Sequence, residues 1–188
     1  KEYFAYFMEM GTGKSKVLID NASILYDKGE INGLLLIAPK GVYKNWYDGE
    51  IPTHMVDHIE KKVVLWETSN SSIEKIKELN TMFATGTDFH ILVMNVEAFS
   101  YPKATEFARR FLSCHKAMMA IDESTTIKTP TANRTRNIVS LKPLAKYRRI
   151  LTGSPITNSP LDLFSQAAFL DNYLLGFDSF WAYRAHYC

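Results

Sequence analysis

The chain has 188 residues, 46% of them hydrophobic, and a formal net charge of only +2. That is enough for one sizeable core and one domain, and the charge neither marks nor excludes a polyanion partner. No apolar run approaches the ~20 residues that span a bilayer, no secretory leader is visible, and Cys114 and Cys188 make no disulfide framework. An intracellular, reducing setting, cytoplasmic or nuclear, is the expectation.

Apolar runs alternate with helical patterns along the chain. Tyr3–Met8 predicts a strand, followed by Gly11-Thr12-Gly13-Lys14-Ser15 and a helix over Lys14–Tyr26 that stops near Gly29. Glycines let backbone N–H groups turn toward one anion, and the helix start adds its positive dipole end. Met10 to Ser15 therefore form a candidate triphosphate cradle. Lys14 reaches the β- and γ-phosphates, and Ser15 places a hydroxyl on Mg²⁺.

Next come a strand over Leu34–Ala38, a helix over Tyr43–Glu50 ending before Pro52, and a strand over Lys62–Leu65. A helix over Ser71–Ala84 opens on a capping box, Ser71 with Glu74. Phe89–Met94 predicts a strand and Pro102–Leu112 a helix. The strand Ala117–Ile121 ends in Asp122-Glu123. Paired carboxylates at a strand end suit metal-assisted phosphoryl transfer, with Asp122 holding Mg²⁺ and Glu123 orienting or deprotonating the attacking water.

A helix over Thr131–Leu141 precedes the strand Arg149–Leu151, which runs into Thr152-Gly153-Ser154-Pro155. That turn can hydrogen-bond the Asp122-Glu123 loop. The last predicted helix, Pro160–Leu170, takes Ser159 as N-cap and Pro160 at its first position. Strand–helix–strand repetition at these lengths implies an α/β fold, a parallel sheet with helices on both faces. Ligands bind such sheets at the carboxyl ends of the strands, where the motifs fall.

Other features have plainer readings. Arg109-Arg110, Arg134 with Arg136, and Lys146 to Arg149 read as solvated faces. His54 and His58 are four apart and can share a helix face, but Met55 stands where a zinc-protease helix has glutamate. Cys114 reads as a core thiol. Trp66, Trp181 and the aromatics of 177–187 read as core or as a contact with another lobe.

The order of these motifs resembles the first RecA-like lobe of superfamily-two helicases, most closely the Swi/Snf-type ATPases. Glu9-Met10-Gly11-Thr12-Gly13-Lys14-Ser15 is similar to that family's Glu-Met-Gly-x-Gly-Lys-Thr loop. Ala38-Pro39 with Trp46 resembles its motif Ia, Asp122-Glu123-Ser124 its DEAH-type box, and Thr152-Gly153-Ser154-Pro155 its Thr-Gly-Thr-Pro motif.

The resemblance implies a RecA-like P-loop NTPase fold with ATP and Mg²⁺ as cofactors. Double-stranded DNA is the implied partner, bound together with a second lobe of the same parent chain, and no membrane is involved. ATP hydrolysis drives movement along, or remodelling of, nucleic acid. Lys14, Asp122 and Glu123 are then catalytic, and Ser15 and Asp122 hold the metal. Thr152, Gly153 and Ser154 couple nucleotide state to nucleic acid, and Pro39, Lys40 and Lys128 lie near its track.

Met8 stands where the family has an acidic residue, and Thr125 where its box often ends in histidine. Residues 1–188 read as one lobe of a longer protein, and a lobe without the second lobe's arginine finger is expected to hydrolyse ATP very slowly. A strand-separating RNA or DNA helicase, a small-molecule P-loop kinase and a non-enzymatic nucleotide sensor are the alternatives.

Overall fold

The computed structural model describes residues 1–67, 72–84, 86 and 88–187. Its strands are β1 (Tyr3–Phe7), β2 (Gly33–Ala38), β3 (Lys61–Leu65), β4 (Phe89–Asn95), β5 (Ala117–Asp122) and β6 (Tyr147–Thr152). They form one six-stranded sheet in the order β1-β6-β5-β2-β4-β3, and every pairing is parallel. Each predicted strand is present. β2, β4 and β5 are buried along their whole length, the condition that produces continuous apolar runs in sequence.

The helices are α1 (Lys14–Asp27), α2 (Tyr43–Asn45), α3 (Ile51–His54), α4 (Ile73–Asn80), α5 (Pro102–Cys114), α6 (Asn133–Leu141), α7 (Leu163–Leu170) and α8 (Phe180–Tyr187). Side chains alternate across the sheet. Leu34, Leu36 and Ala38 of β2 share one core with Leu18, Ile19 and Ala22 of α1 and with Tyr43, Trp46 and Ile51. Leu35 and Ile37 share the opposite core with Phe111 of α5, Ile138 of α6 and Phe169 of α7.

The helices after β2 and after β5 thus lie on opposite faces. These two strands are neighbours, so the crevice beyond their carboxyl ends is a topological switch point, where open α/β sheets take their ligands.

Several local expectations are corrected. The helix from Tyr43 does not end before Pro52: a π-helical turn, Trp46–Glu50, carries it into α3, whose second residue is Pro52. His54 and His58 do not share a helix face, because Met55 turns extended directly after α3. His58 pairs with Asp27 at 3.0 Å and His54 with Glu50 at 3.6 Å.

Ser71 lies outside the described residues. The observed cap of α4 is Ser72, whose hydroxyl accepts from the Lys75 N–H at 3.1 Å. Ser159 makes no side-chain cap, and a 3₁₀ turn, Pro160–Asp162, precedes α7. Cys114 is exposed rather than in the core. Arg149 is buried rather than solvated: its guanidinium donates to Asn21 Oδ1 and to the carbonyls of Lys1, Glu2 and Arg148, which replaces the water a buried charge loses.

Candidate active site

The phosphate-loop candidate leaves β1 at Met8, whose N–H donates to the Thr152 carbonyl of neighbouring β6 at 3.2 Å. Gly11 and Gly13 take φ of +78° and +88°, a left-handed conformation that costs other L-residues about 1–2 kcal/mol. The first helical hydrogen bond of α1 runs from Val17 N–H to Gly13 C=O at 3.1 Å. The first-turn N–H groups before Val17 therefore have no partners within the helix, the condition under which a helix start can take an anion.

Lys14 Nζ donates to the carbonyls of Met8 (3.0 Å) and Glu9 (2.9 Å), which holds the ammonium over the loop. Thr12 closes the loop from outside, its hydroxyl donating to Glu9 O at 2.7 Å.

Met10, Gly11, Gly13, Lys14 and Ser15 line one cleft of about 440 Å³ together with Asp122 and Glu123. The two predicted halves, 108 residues apart in sequence between Lys14 and Asp122, thus meet at one rim of the sheet. A second cleft of about 310 Å³ adjoins it, sharing Met10, Lys14 and Glu123 and adding Thr152, Gly153 and Ser154.

Asp122 ends β5 and is almost fully buried. Burial pushes its carboxyl pKa up, an indole hydrogen bond from Trp46 pulls it down, and the neighbouring Glu123 charge adds to the rise. Both carboxylate oxygens are held: Oδ2 accepts from Trp46 Nε1 at 2.8 Å and Oδ1 from the Glu123 N–H at 3.0 Å.

Glu123 has φ of +47° and is the non-glycine residue with left-handed backbone among those described. That strain turns the chain sharply out of β5 and points the carboxylate at β6, where Thr152 Oγ1 donates to Oε2 at 3.3 Å. The same Thr152 oxygen accepts from the Ser154 N–H at 3.1 Å. A Cβ on Gly153 would lie 3.4 Å from Met8 O and 3.6 Å from Met10 N, so the Thr152–Ser154 turn sits in van der Waals range of the segment that leaves β1.

Behind this front, Gln166 of α7 is fully buried. Its Oε1 accepts from the Ser124 hydroxyl at 2.6 Å, and its Nε2 donates to Pro155 O and Asp162 O, each at 2.8 Å. The Asp122–Ser124 segment and the turn after β6 are therefore tied to one side chain.

Asp162 accepts from the N–H groups of Thr157 (2.9 Å) and Asn158 (2.8 Å) and from the Thr157 hydroxyl (2.7 Å). Burial opposes its ionisation, but these bonds and the Lys128 charge prevail and hold the carboxyl well below the usual carboxylate range.

The candidate nucleic-acid residues are less unified. The Pro39 carbonyl accepts from Val42 and Tyr43 N–H, each at 2.9 Å, and starts α2; Lys40 is exposed beside it. The Lys128 ammonium already pairs with Asp162 at 3.5 Å and donates to Thr157.

Lys16 and Glu50 also line the main cleft without having been assigned a role, and so does His54, which was weighed only as a zinc partner of His58. Trp46 served only as a family landmark. Its signal was an indole N–H inside an apolar stretch, which needs a buried acceptor. Gln166, which with Ser165 interrupts the apolar run of α7, carried a similar signal.

Comparisons with known proteins bear on the family and the fold. A family model described as the SNF2-related domain matches residues 7–186. The ATP-dependent helicase fft1 of Schizosaccharomyces pombe is 26% identical over 179 residues, 90% of this chain and 17% of that protein. The ATP-dependent helicase fft3 of the same organism is 30% identical over 165 residues, 86% of this chain and 16% of that one.

The chromatin-remodeling ATPase INO80 of Cryptococcus neoformans var. neoformans is 29% identical over 166 residues, 86% of this chain and 9% of that one. The chain thus spans less than a fifth of these curated relatives. Among solved structures, the Sulfolobus solfataricus SWI2/SNF2 ATPase core domain superposes with a TM-score of 0.69 at 26% identity, covering 97% of this chain and 33% of that one.

The same core in complex with dsDNA gives a TM-score of 0.71 at 24% identity, covering 96% and 33%, and supports the shared fold. Among the described residues no helix is long and apolar enough to cross a membrane. With a family match that spans nearly its full length, this chain belongs to the SNF2-related domain family.

Proposed function

We propose that residues 1–188 form the first RecA-like, ATP-binding lobe of a DNA-dependent ATPase that moves along or remodels double-stranded DNA. The observation that carries this reading is the single cleft shared by Lys14, Ser15, Asp122 and Glu123. The residues fit the groups they would hold. The loop offers backbone N–H donors and an ammonium for phosphate, while a hydroxyl and a carboxylate are hard oxygen ligands of the kind Mg²⁺ takes.

Lys14 and the first-turn N–H groups of α1 neutralise and orient the β- and γ-phosphates. Ser15 and Asp122 would hold Mg²⁺, which supplies charge neutralisation across the phosphate oxygens. Glu123 orients the attacking water and takes its proton. Thr152 fixes the Glu123 carboxylate, and the Thr152–Ser154 turn transmits its position toward a nucleic-acid track near Pro39 and Lys40. Lys128, which is paired with Asp162, is the weakest member of that track. A second lobe of the parent chain completes the site, and the working compartment is the nucleus or cytoplasm.

ATP hydrolysis by the full-length protein, measured alone and with duplex DNA, single strands or RNA, tests this reading. Stimulation by duplex DNA is expected, as is loss of turnover with retained nucleotide binding in Glu123→Gln. Turnover indifferent to every nucleic acid, but dependent on a small phosphate acceptor, would reassign the chain as a kinase.

A further inference from the structure

Trp46 and Asp122 are 76 positions apart, yet the indole N–H donates to the Asp122 carboxylate at 2.8 Å with both residues buried. The bond crosses the switch-point crevice, from the segment that follows β2 to the end of β5. Its donor sits at the start of the π-helical turn Trp46–Glu50, a local departure from α-helix that recurs at functional sites.

The turn has its own internal bracing. Asn45 Nδ2 donates to Glu50 Oε1 at 3.2 Å across five residues, the spacing a π turn brings into line. A Cβ on Gly49 would lie only 3.0 Å from Asn45 Oδ1, so glycine leaves room for that brace. The opposite carboxylate oxygen of Asp122 takes the Glu123 N–H. Two donors on two oxygens fix the plane of the carboxylate, while its remaining lone pairs stay free for the cleft it lines.

We infer that Trp46 is a positioning residue for the metal-holding carboxylate, with the π turn as the device that aims its indole. The inference rests on the nucleotide-site reading above. Groups that orient a metal ligand from behind contribute about 10–100-fold to metal affinity, and a planar N–H donor, itself buried and held at the start of a braced helix turn, is suited to that task. The prediction is selective: losing the donor weakens Mg²⁺ in the nucleotide complex and leaves metal-free nucleotide binding intact, because Lys14 and the loop N–H groups hold the phosphates.

The test is calorimetric binding of ADP to the full-length protein and to Trp46→Phe, without metal and across a Mg²⁺ titration. The inference expects the half-saturating Mg²⁺ concentration to rise about tenfold or more in Trp46→Phe, with metal-free ADP affinity unchanged. An unchanged Mg²⁺ requirement, or an equal loss of both kinds of binding, overturns it. A wild-type protein that takes no ADP with or without Mg²⁺ would remove the functional reading itself, and this inference with it.

Should Trp46→Phe not fold, the wild-type indole ¹⁵N–H resonance of Trp46 decides. It is expected to shift as Mg²⁺ is added at saturating ADP, with the Trp66 and Trp181 resonances still; a Trp46 resonance that does not move overturns the inference.

Discussion

The Thr152 hydroxyl donates to Glu123 Oε2 at 3.3 Å while accepting from the Ser154 N–H at 3.1 Å. One oxygen therefore links the carboxylate assigned to water activation with the turn that packs on the phosphate loop. Thr152→Val keeps the shape and removes both bonds. ATP affinity is expected to hold within about twofold, while kcat in the presence of duplex DNA falls about tenfold, equivalent to ~1.4 kcal/mol of a lost oriented hydrogen bond. Steady-state kinetics on the full-length protein check the split between kcat and KM; a rise in KM with kcat unchanged would place Thr152 in substrate binding instead.

Asp162 supplies a pH prediction of defined sign. Its folded-state pKa is depressed because backbone and side-chain donors from Thr157 and Asn158, with the Lys128 charge, outweigh the cost of burial. An acid whose folded pKa lies below its unfolded value of about 3.9 adds stability above that value and loses it as pH falls through the folded pKa. Asp162→Asn is expected to destabilise by about 1–3 kcal/mol at pH 7, and the difference from wild type is expected to shrink progressively below pH ~4. Urea unfolding of both proteins at several pH values measures it, and a difference that stays constant down to the acid transition would show that the charge is not what matters there.

Much of the fold was legible because the physics that made it was local. Leu34–Ala38 and Ala117–Ile121 are buried on both faces, so they read as unbroken apolar runs. The glycine turn before Lys14 was legible because only glycine takes φ near +88° cheaply. The carboxylate pair was legible because charges at the end of an apolar strand stand out.

What escaped depended on distant partners. Arg149 is buried because main-chain carbonyls of Lys1 and Glu2 and the Asn21 amide receive it, and no local pattern announces that. The helix ran past the expected break at Pro52 by way of the π turn Trp46–Glu50 just before it, which no local periodicity announces. The left-handed Glu123 and the Trp46–Asp122 bond exist only once strands far apart in sequence have paired.

The aromatics of 177–187 were read as core or as a contact with another lobe. These residues hold the helix α8, anchored by Tyr183, whose hydroxyl donates to Pro160 O at 2.9 Å, while Trp181 stays largely exposed.

The account's central claim is that Lys14 and the Asp122–Glu123 pair serve one nucleotide. Calorimetric titration of ATP with Mg²⁺ into the wild-type protein and Lys14→Ala tests it most directly. Affinity is expected to fall about 10–100-fold on loss of a charged donor to phosphate, with unfolding free energy changed by no more than about 1 kcal/mol because Lys14 lies at the surface of the cleft. Equal affinity in a folded Lys14→Ala protein would contradict it.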